Sequence, residues 1–353
     1  MDLNFTYSGS PARIVFGNGA RHEARASVEK LGRSRALVLS TPPQRGHAEE
    51  CAAGLGDRAV GVFAGAVMHT PVEVSDEAAA LARELGADCL VALGGGSTTG
   101  LGKAIAYRTG LPQVVIPTTY AGSEVTPILG QTADGRKTTL RDPKVLPQVV
   151  IYDPELTLGL PVGMSVTSGM NAIAHAAEGL YANDRNPITT LMAAEGMRAL
   201  HAALPAIVVD PANLEARGNA LYGAWICGTV LGSVAMSLHH KICHALGGTF
   251  DLPHAETHTV MLPHTISYNA EAVPGLLQPV SAIFGGTPGQ GLYDFAAALG
   301  APQSLRELGL AEADLDRAAD EATANPYANP RPVDRQSIRT MLQAAWEGRR
   351  PAV

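Results

Sequence analysis

Short apolar runs alternate with helical periodicity through the first half of the chain, whereas the second half carries helical periodicity almost alone. RALVLST (35–41), DRAVGVFA (57–64), DCLVALGGG (88–96), LPQVVIPTT (111–119) and VVIYDP (149–154) are rich in β-branched and aliphatic residues and read as strands. Residues 74–85 and 101–109 between them repeat apolar positions at helical spacing. Strands and helices in alternation predict a parallel, Rossmann-like sheet covered by crossover helices. Past Pro154 the texture changes: NAIAHAAEGLYA (171–182), ITTLMAAEGMRALHAALPAIV (188–208) and LEARGNALYGAWICGTVLGSVAMSLHHKICHAL (214–246) read as helices. The expectation is an α/β domain over residues 1–154 and an all-α domain over 155–353.

Composition refines this picture. A length of 353 residues exceeds one typical core, in keeping with two domains. A net charge of −7 disfavours nucleic acid and anionic membrane as partners, and an anionic substrate would need a local basic pocket. Residues 218–238 are uncharged and long enough to span a bilayer. Their four glycines, one Asn and two Ser, running straight into a His-rich segment, assign them to a buried core helix instead. Cys51, Cys89, Cys227 and Cys243 are scattered with no CxxC pair, which fits a reduced, cytoplasmic setting and argues against a thiolate metal site. The stretch MDLNFTYSGSPARIVFG lacks the charged and apolar regions of a signal peptide.

A nucleotide site is suggested by Gly94-Gly95-Gly96-Ser97, which follows a strand and precedes a helix. Glycines there let the backbone approach a diphosphate, and the helix N-terminus offers N–H groups. Glycine-rich turns of this kind also serve packing alone. Thr118 and Thr119 end the next strand, so they should share its carboxyl edge, where α/β proteins bind ligands. The strand 35–41 ends in Ser40-Thr41, with no carboxylate to hold a ribose 2′-hydroxyl, so the site should accept both NADH and NADPH.

Six of the eleven histidines fall between His239 and His264, a concentration that calls for a reason. His240 and His244 stand at i and i+4, as do Asn171 and His175, so each pair shares a helix face. His254 follows Gly247-Gly248 and Pro253. Two such helices and His254 could converge on one centre; local hydrogen bonding on separate helix faces is the plainer alternative. His239, His258 and His264 lack a partner pattern and are read as structural.

DPELTLGLP (153–161), SGMNAIAHAAE (168–178), HKICHALGGTFDLPH (240–254), GGGS (94–97) and TTYAGSEVT (118–126) resemble, in content and order, the signature segments of iron-containing alcohol dehydrogenases. The resemblance implies a dehydroquinate synthase-like fold, a dinucleotide-binding domain followed by a helical catalytic domain, and a homodimer. In metal-dependent members one Asp and three His hold the cation. The matching positions here are Asn171, His175, His240 and His254, so a neutral amide replaces the anionic ligand. An amide is a poor ligand for Fe(II) or Zn(II), although three histidines can still hold zinc. GGGSTTGLGKAIA (94–106), PTTYAGSEVTPILG (117–130), RKTTLRDPKVLP (136–147) and SGMNAIAHAAE are similar in detail to the maleylacetate reductase branch, which works without metal.

That resemblance implies NAD(P)H-dependent reduction of a conjugated C=C bond in a dicarboxylate formed during aromatic catabolism, with no metal expected. His175, His240 and His254 are then donors to an oxyanion and carboxylates, Asn171 a neutral partner, and His244 the candidate proton donor. Lys241, and Arg136, Lys137, Arg141 and Lys144 in a basic loop, are candidate cations for the carboxylates, although such runs are usually solvated. Tyr120 is a candidate neighbour of nicotinamide or substrate, and Tyr327 and Arg331 candidates to close over a bound substrate. The competing expectations are a metal-dependent alcohol or polyol dehydrogenase and a catalytically silent nucleotide-binding scaffold.

Overall fold

The computed structural model describes residues 5–9, 12–133, 136–325 and 327–352. The side chains of the substrate candidates Arg136 and Lys137 lie outside that description, as do residues 1–4, 10 and 11 of the stretch read for a leader and Pro326 of the loop at 325–331. The chain forms two compact units, one of Gly9–Leu160 and one built on Pro161–Val353.

The first unit runs β1 (Arg13–Phe16), α1 (Ala24–Lys30), β2 (Ala36–Leu39), α2 (Arg45–Leu55), β3 (Ala59–Phe63), α3 (Val72–Glu84), β4 (Cys89–Gly94), α4 (Gly96–Thr109), β5 (Gln113–Pro117), β6 (Ile128–Ala133), β7 (Arg136–Arg141) and β8 (Val149–Tyr152). Six strands make one parallel sheet in the order β1-β8-β5-β4-β2-β3. Alternate residues of each inner strand serve opposite faces. Ala36 and Val38 pack with Ala24 and Val28 of α1 and Ala48 and Leu55 of α2. Leu37 and Leu39 pack with Ala78 and Ala82 of α3 and Leu101 and Ile105 of α4. Burial on both faces is why these strands are uninterrupted apolar runs.

Two features differ from expectation. Helix α4 begins at Gly96, with Gly95 as its N-cap, so the glycine run already belongs to the helix terminus. The basic loop is half of an antiparallel hairpin: β7 pairs with β6 in the register Leu129↔Leu140 and Gln131↔Thr138. Leu129 and Leu140 turn inward against Ala104 and Val145, which anchors the ribbon and leaves Arg141 and Lys144 exposed.

The second unit is helical: α5 (Val162–Gly179), α6 (Pro187–Val209), α7 (Leu214–Ser233), α8 (Leu238–Phe250), α9 (His254–Ala270), α10 (Pro274–Phe284), α11 (Pro288–Ala298), α12 (Leu315–Thr323) and α13 (Arg335–Glu347). Of the uncharged stretch 218–238 only residues 218–233 lie in a core helix, α7, whose Gly223 meets α6 so closely that a Cβ would lie 3.0 Å from Gly196 O. Residues 214–246 are two helices, not one, with a bend of 97° between α7 and α8. At the break Val234 is extended, and the hydroxyl of Ser237 donates to Ala328 O (2.5 Å). By length and hydropathy α6 could cross a membrane; it packs here on α5 and α7.

Candidate active site

In the first unit the sheet reverses its winding between β2 and β4. The helix after β2 covers one face and the helix after β4 the other, which leaves a crevice at the strand carboxyl ends. Gly94, Gly95, Gly96 and Ser97 stand there, Gly94 buried and the other three partly or fully exposed. A Cβ on Gly94 would fall 2.3 Å from Thr98 Oγ1, and one on Gly95 would fall 2.8 Å from Thr119 Cγ2. Only glycine keeps this cradle open. Thr118 N donates to Gly94 O (3.2 Å), and Gln44 Nε2 donates to Thr118 Oγ1 (3.0 Å), so the ends of β2, β4 and β5 are tied together. Thr41 and Thr119 are partly exposed at this edge. Ser40 is fully buried and its hydroxyl donates to Leu93 O (2.8 Å), serving the sheet; Tyr120 is likewise fully buried.

Lys103, unnoticed in the sequence, holds the segment beyond Thr119. From the buried face of α4 its ammonium lies 2.6–2.9 Å from Ser123 O, Thr126 O, Thr126 Oγ1 and Ile128 O. Burial pushes it down to about 7, against the opposing pull of Glu124. Glu124, also buried, accepts from Tyr152 Oη (2.8 Å). It belongs to the quoted TTYAGSEVT segment, where an acid after a turn gives no sign of burial.

In the second unit six histidines, His175, His239, His240, His244, His254 and His258, form one cluster. His175 Nδ1 and His240 Nε2 are 2.9 Å apart, and His240 Nδ1 makes a very short contact with Glu178 Oε2. His244 follows at 6.0 Å between ring centroids from His240, and His254 at 6.4 Å from His244. His175 and His240 are buried, whereas His244 and His254 are partly exposed. Asn171, one turn before His175, is 3% exposed and its Oδ1 has no partner among the described residues. Lys241 is exposed. Arg331 stacks over Tyr268 at 4.3 Å, and Tyr327 packs on the core beside α8 and α9.

The sequence reading set His239 and His258 aside as structural, yet the fold brings both into the cluster. His258 is fully buried, with centroids 4.4 Å from His254, 5.0 Å from His240 and 6.2 Å from His175. Its Nδ1 lies 2.9 Å from His239 Nε2, and His239 Nδ1 lies 3.0 Å from Thr265 Oγ1. Thr265 already donates to Met261 O, so it accepts from His239. The proton positions then follow in turn: His239 carries Nδ1–H, His258 donates Nδ1–H to it, and His258 Nε2 bears a lone pair. That atom is buried without a partner among the described residues. Burial, reinforced by the neighbouring imidazoles, pushes His258 well below the usual histidine range, and burial with His240 does the same to His239.

Two family models cover most of the chain: iron-containing alcohol dehydrogenase over residues 11–154, and the C-terminal part of the same family over residues 165–346. The chain belongs to the iron-containing alcohol dehydrogenase family. It is similar to a maleylacetate reductase of Rhizobium sp. (strain MTP-10005), 64% identical over 98% of this chain and 99% of that one. A maleylacetate reductase of Sphingobium indicum is 57% identical over 99% of each. A solved maleylacetate reductase from Agrobacterium tumefaciens superposes with a TM-score of 0.96 at 62% identity, covering 99% of this chain and all of the other.

At the family's metal positions this member presents three imidazoles, His175, His240 and His254, and the amide of Asn171. His240 Nε2 and His175 Nδ1 face each other as a hydrogen-bonded pair. Asn171 supplies no charge. Among the described residues, three donor atoms come within 4.8 Å of one another only at His239, Cys243 and His258. There the His239–His258 contact is the hydrogen bond already described, with Cys243 Sγ 3.8 Å from His239 Nε2. The glycine cradle, by contrast, suits a dinucleotide diphosphate.

Proposed function

We propose that this family member reduces the activated C=C bond of maleylacetate to 3-oxoadipate, using NADH or NADPH and no metal. The carrying observation is Asn171, a buried neutral amide at the anionic ligand position, with imidazoles bonded to one another beyond it. Relatives of 64% and 57% identity bearing the name maleylacetate reductase support the reading.

A bound reduced nicotinamide supplies hydride to the alkene carbon β to the substrate's ketone. Charge moves onto the ketone oxygen, and protonation of the adjacent carbon completes the product. Conjugation already makes the alkene electrophilic, so the protein's work is placement and stabilisation of an oxyanion. Gly94, Gly95, Gly96 and Ser97, with Thr41, Thr118 and Thr119, line the nucleotide edge. His175 and His254 are the hydrogen-bonding groups for the oxyanion and carboxylates; His240, whose ring nitrogens face His175 and Glu178, holds His175 in place instead of donating to substrate. Asn171 is a neutral partner, and partly exposed His244 delivers the proton. Absence of a carboxylate after β2 leaves room for a 2′-phosphate. A homodimer in a cytoplasmic setting completes this reading.

Oxidation of NADH and NADPH by the purified protein, with maleylacetate beside simple aldehydes and ketones, tests it. The expected result is turnover of maleylacetate with either cofactor, undiminished by a chelator. A stoichiometric divalent ion whose removal abolishes turnover, or carbonyl reduction without maleylacetate reduction, returns the chain to the metal-dependent alcohol dehydrogenases.

A further inference from the structure

Glu178 lies at the end of the SGMNAIAHAAE segment and has no contact with substrate in the reading above. It is fully buried near the C-terminus of α5. Its Oε1 accepts from His239 N (2.8 Å) and Tyr181 Oη (3.4 Å); its Oε2 accepts from His240 N (3.3 Å) and His240 Nδ1. The two backbone groups open α8, whose own N-cap, Ser237, spends its hydroxyl on Ala328 O. Glu178 therefore caps α8 from another helix, where the N-terminal partial charge favours a carboxylate. The same carboxylate orients the ring that α8 carries.

A carboxylate only accepts, so His240 must bear its proton on Nδ1. In the neutral ring Nε2 is then the lone-pair atom, and His175 Nδ1–H donates to it across 2.9 Å. One side chain thus dictates where two imidazoles carry their protons. The parallel chain Thr265–His239–His258 has the same polarity but ends on a hydroxyl instead of a charge. A glutamine at 178 could cap α8 through its carbonyl. Its amide hydrogens would then confront His240 Nδ1–H, and the ring would have to change tautomer or turn.

We infer that Glu178 is a positioning residue for the reduction, acting through His240 to fix the ring orientation and tautomer of His175. This rests on the imidazole roles proposed above. In Glu178→Gln, kcat for maleylacetate should fall roughly tenfold to a hundredfold, the usual range for losing a partner that orients a functional imidazole. The dissociation constant for NADH should stay within about twofold, because no cofactor contact changes. Nitrogen-15 spectra of histidine-labelled protein should show His240 protonated at Nδ1 in the parent and at Nε2 in the variant. A folded variant with parental kcat overturns the inference, as does a parent spectrum with His240 bare at Nδ1. The parent spectrum decides alone if the variant does not fold. Failure of the parent to turn over maleylacetate refutes the substrate reading, and the spectra still test the tautomer.

Discussion

Acidification from pH 8 to pH 5.5 should weaken the helical unit by several kcal/mol, because three of its buried histidines refuse protons that the unfolded chain accepts. Burial pushes His264 down to about 4, and His239 and His258 lie well below the usual range for the same reason. Each folded value is depressed, so the stabilisation is complete above the unfolded value near 6.5 and is lost as pH falls below it. At pH 5.5 an unfolded histidine gains roughly 1–2 kcal/mol by binding its proton, while a folded His264 gains almost nothing. Three such groups make about 4 kcal/mol, a large share of the 5–15 typical of a folded domain. Both tryptophans, Trp225 and Trp346, belong to the helical unit, so their fluorescence during urea unfolding follows that unit. The unfolding midpoint should drop markedly at pH 5.5, and His264→Gln should remove about a third of the drop. A stability unchanged to within about 1 kcal/mol between the two pH values would refute the reasoning.

Three further outcomes are expected. Gly94→Ala forces a Cβ to 2.3 Å from Thr98 Oγ1, and should weaken NADH binding about tenfold or more by closing the cradle; titration of the bound nucleotide's fluorescence checks this, and an unaltered affinity would remove the cradle from the nucleotide site. Asn171→Asp restores an anionic oxygen at the ligand position and should retain zinc through gel filtration where the parent does not, read by elemental analysis; a zinc-free variant would show that the amide is not what excludes the metal. His244→Ala should reduce kcat for maleylacetate more than it weakens NADH binding, and an unchanged kcat in steady-state assays would take His244 out of the mechanism.

The residues that the sequence made legible are those whose pattern is local. Strands β2, β4, β5 and β8 stood out because both of their faces are buried. Edge strand β1, four residues with a half-exposed pattern, offered no such run, and the hairpin β6–β7 hid its two inward leucines among charges and threonines. The same division holds in the cluster. His240 with His244, and Asn171 with His175, announce themselves by i, i+4 spacing. His258 does not, because its partner His239 lies on a different helix. Glu178 is harder still, since an acid at a helix end ordinarily faces water. Its burial follows from the bend between α7 and α8, a break with neither Gly nor Pro to mark it.

The carboxylate of Glu178 also bears on the amide at position 171. Glu178 already has its counterparts in the α8 terminus and the His240 ring. An aspartate at 171, one turn before His175, would put a second charge where Asn171 is 3% exposed. With a divalent cation beside it, that charge is a ligand. Without one, it is a buried, unpaired anion costing several kcal/mol. On the metal-free reading proposed above the two changes are coupled: an aspartate at 171 without the cation leaves an uncompensated charge, whereas an amide adds none to the pocket. A substrate already activated by conjugation can be reduced in such a pocket, because hydrogen-bond donors suffice where an unactivated carbonyl would demand a Lewis acid.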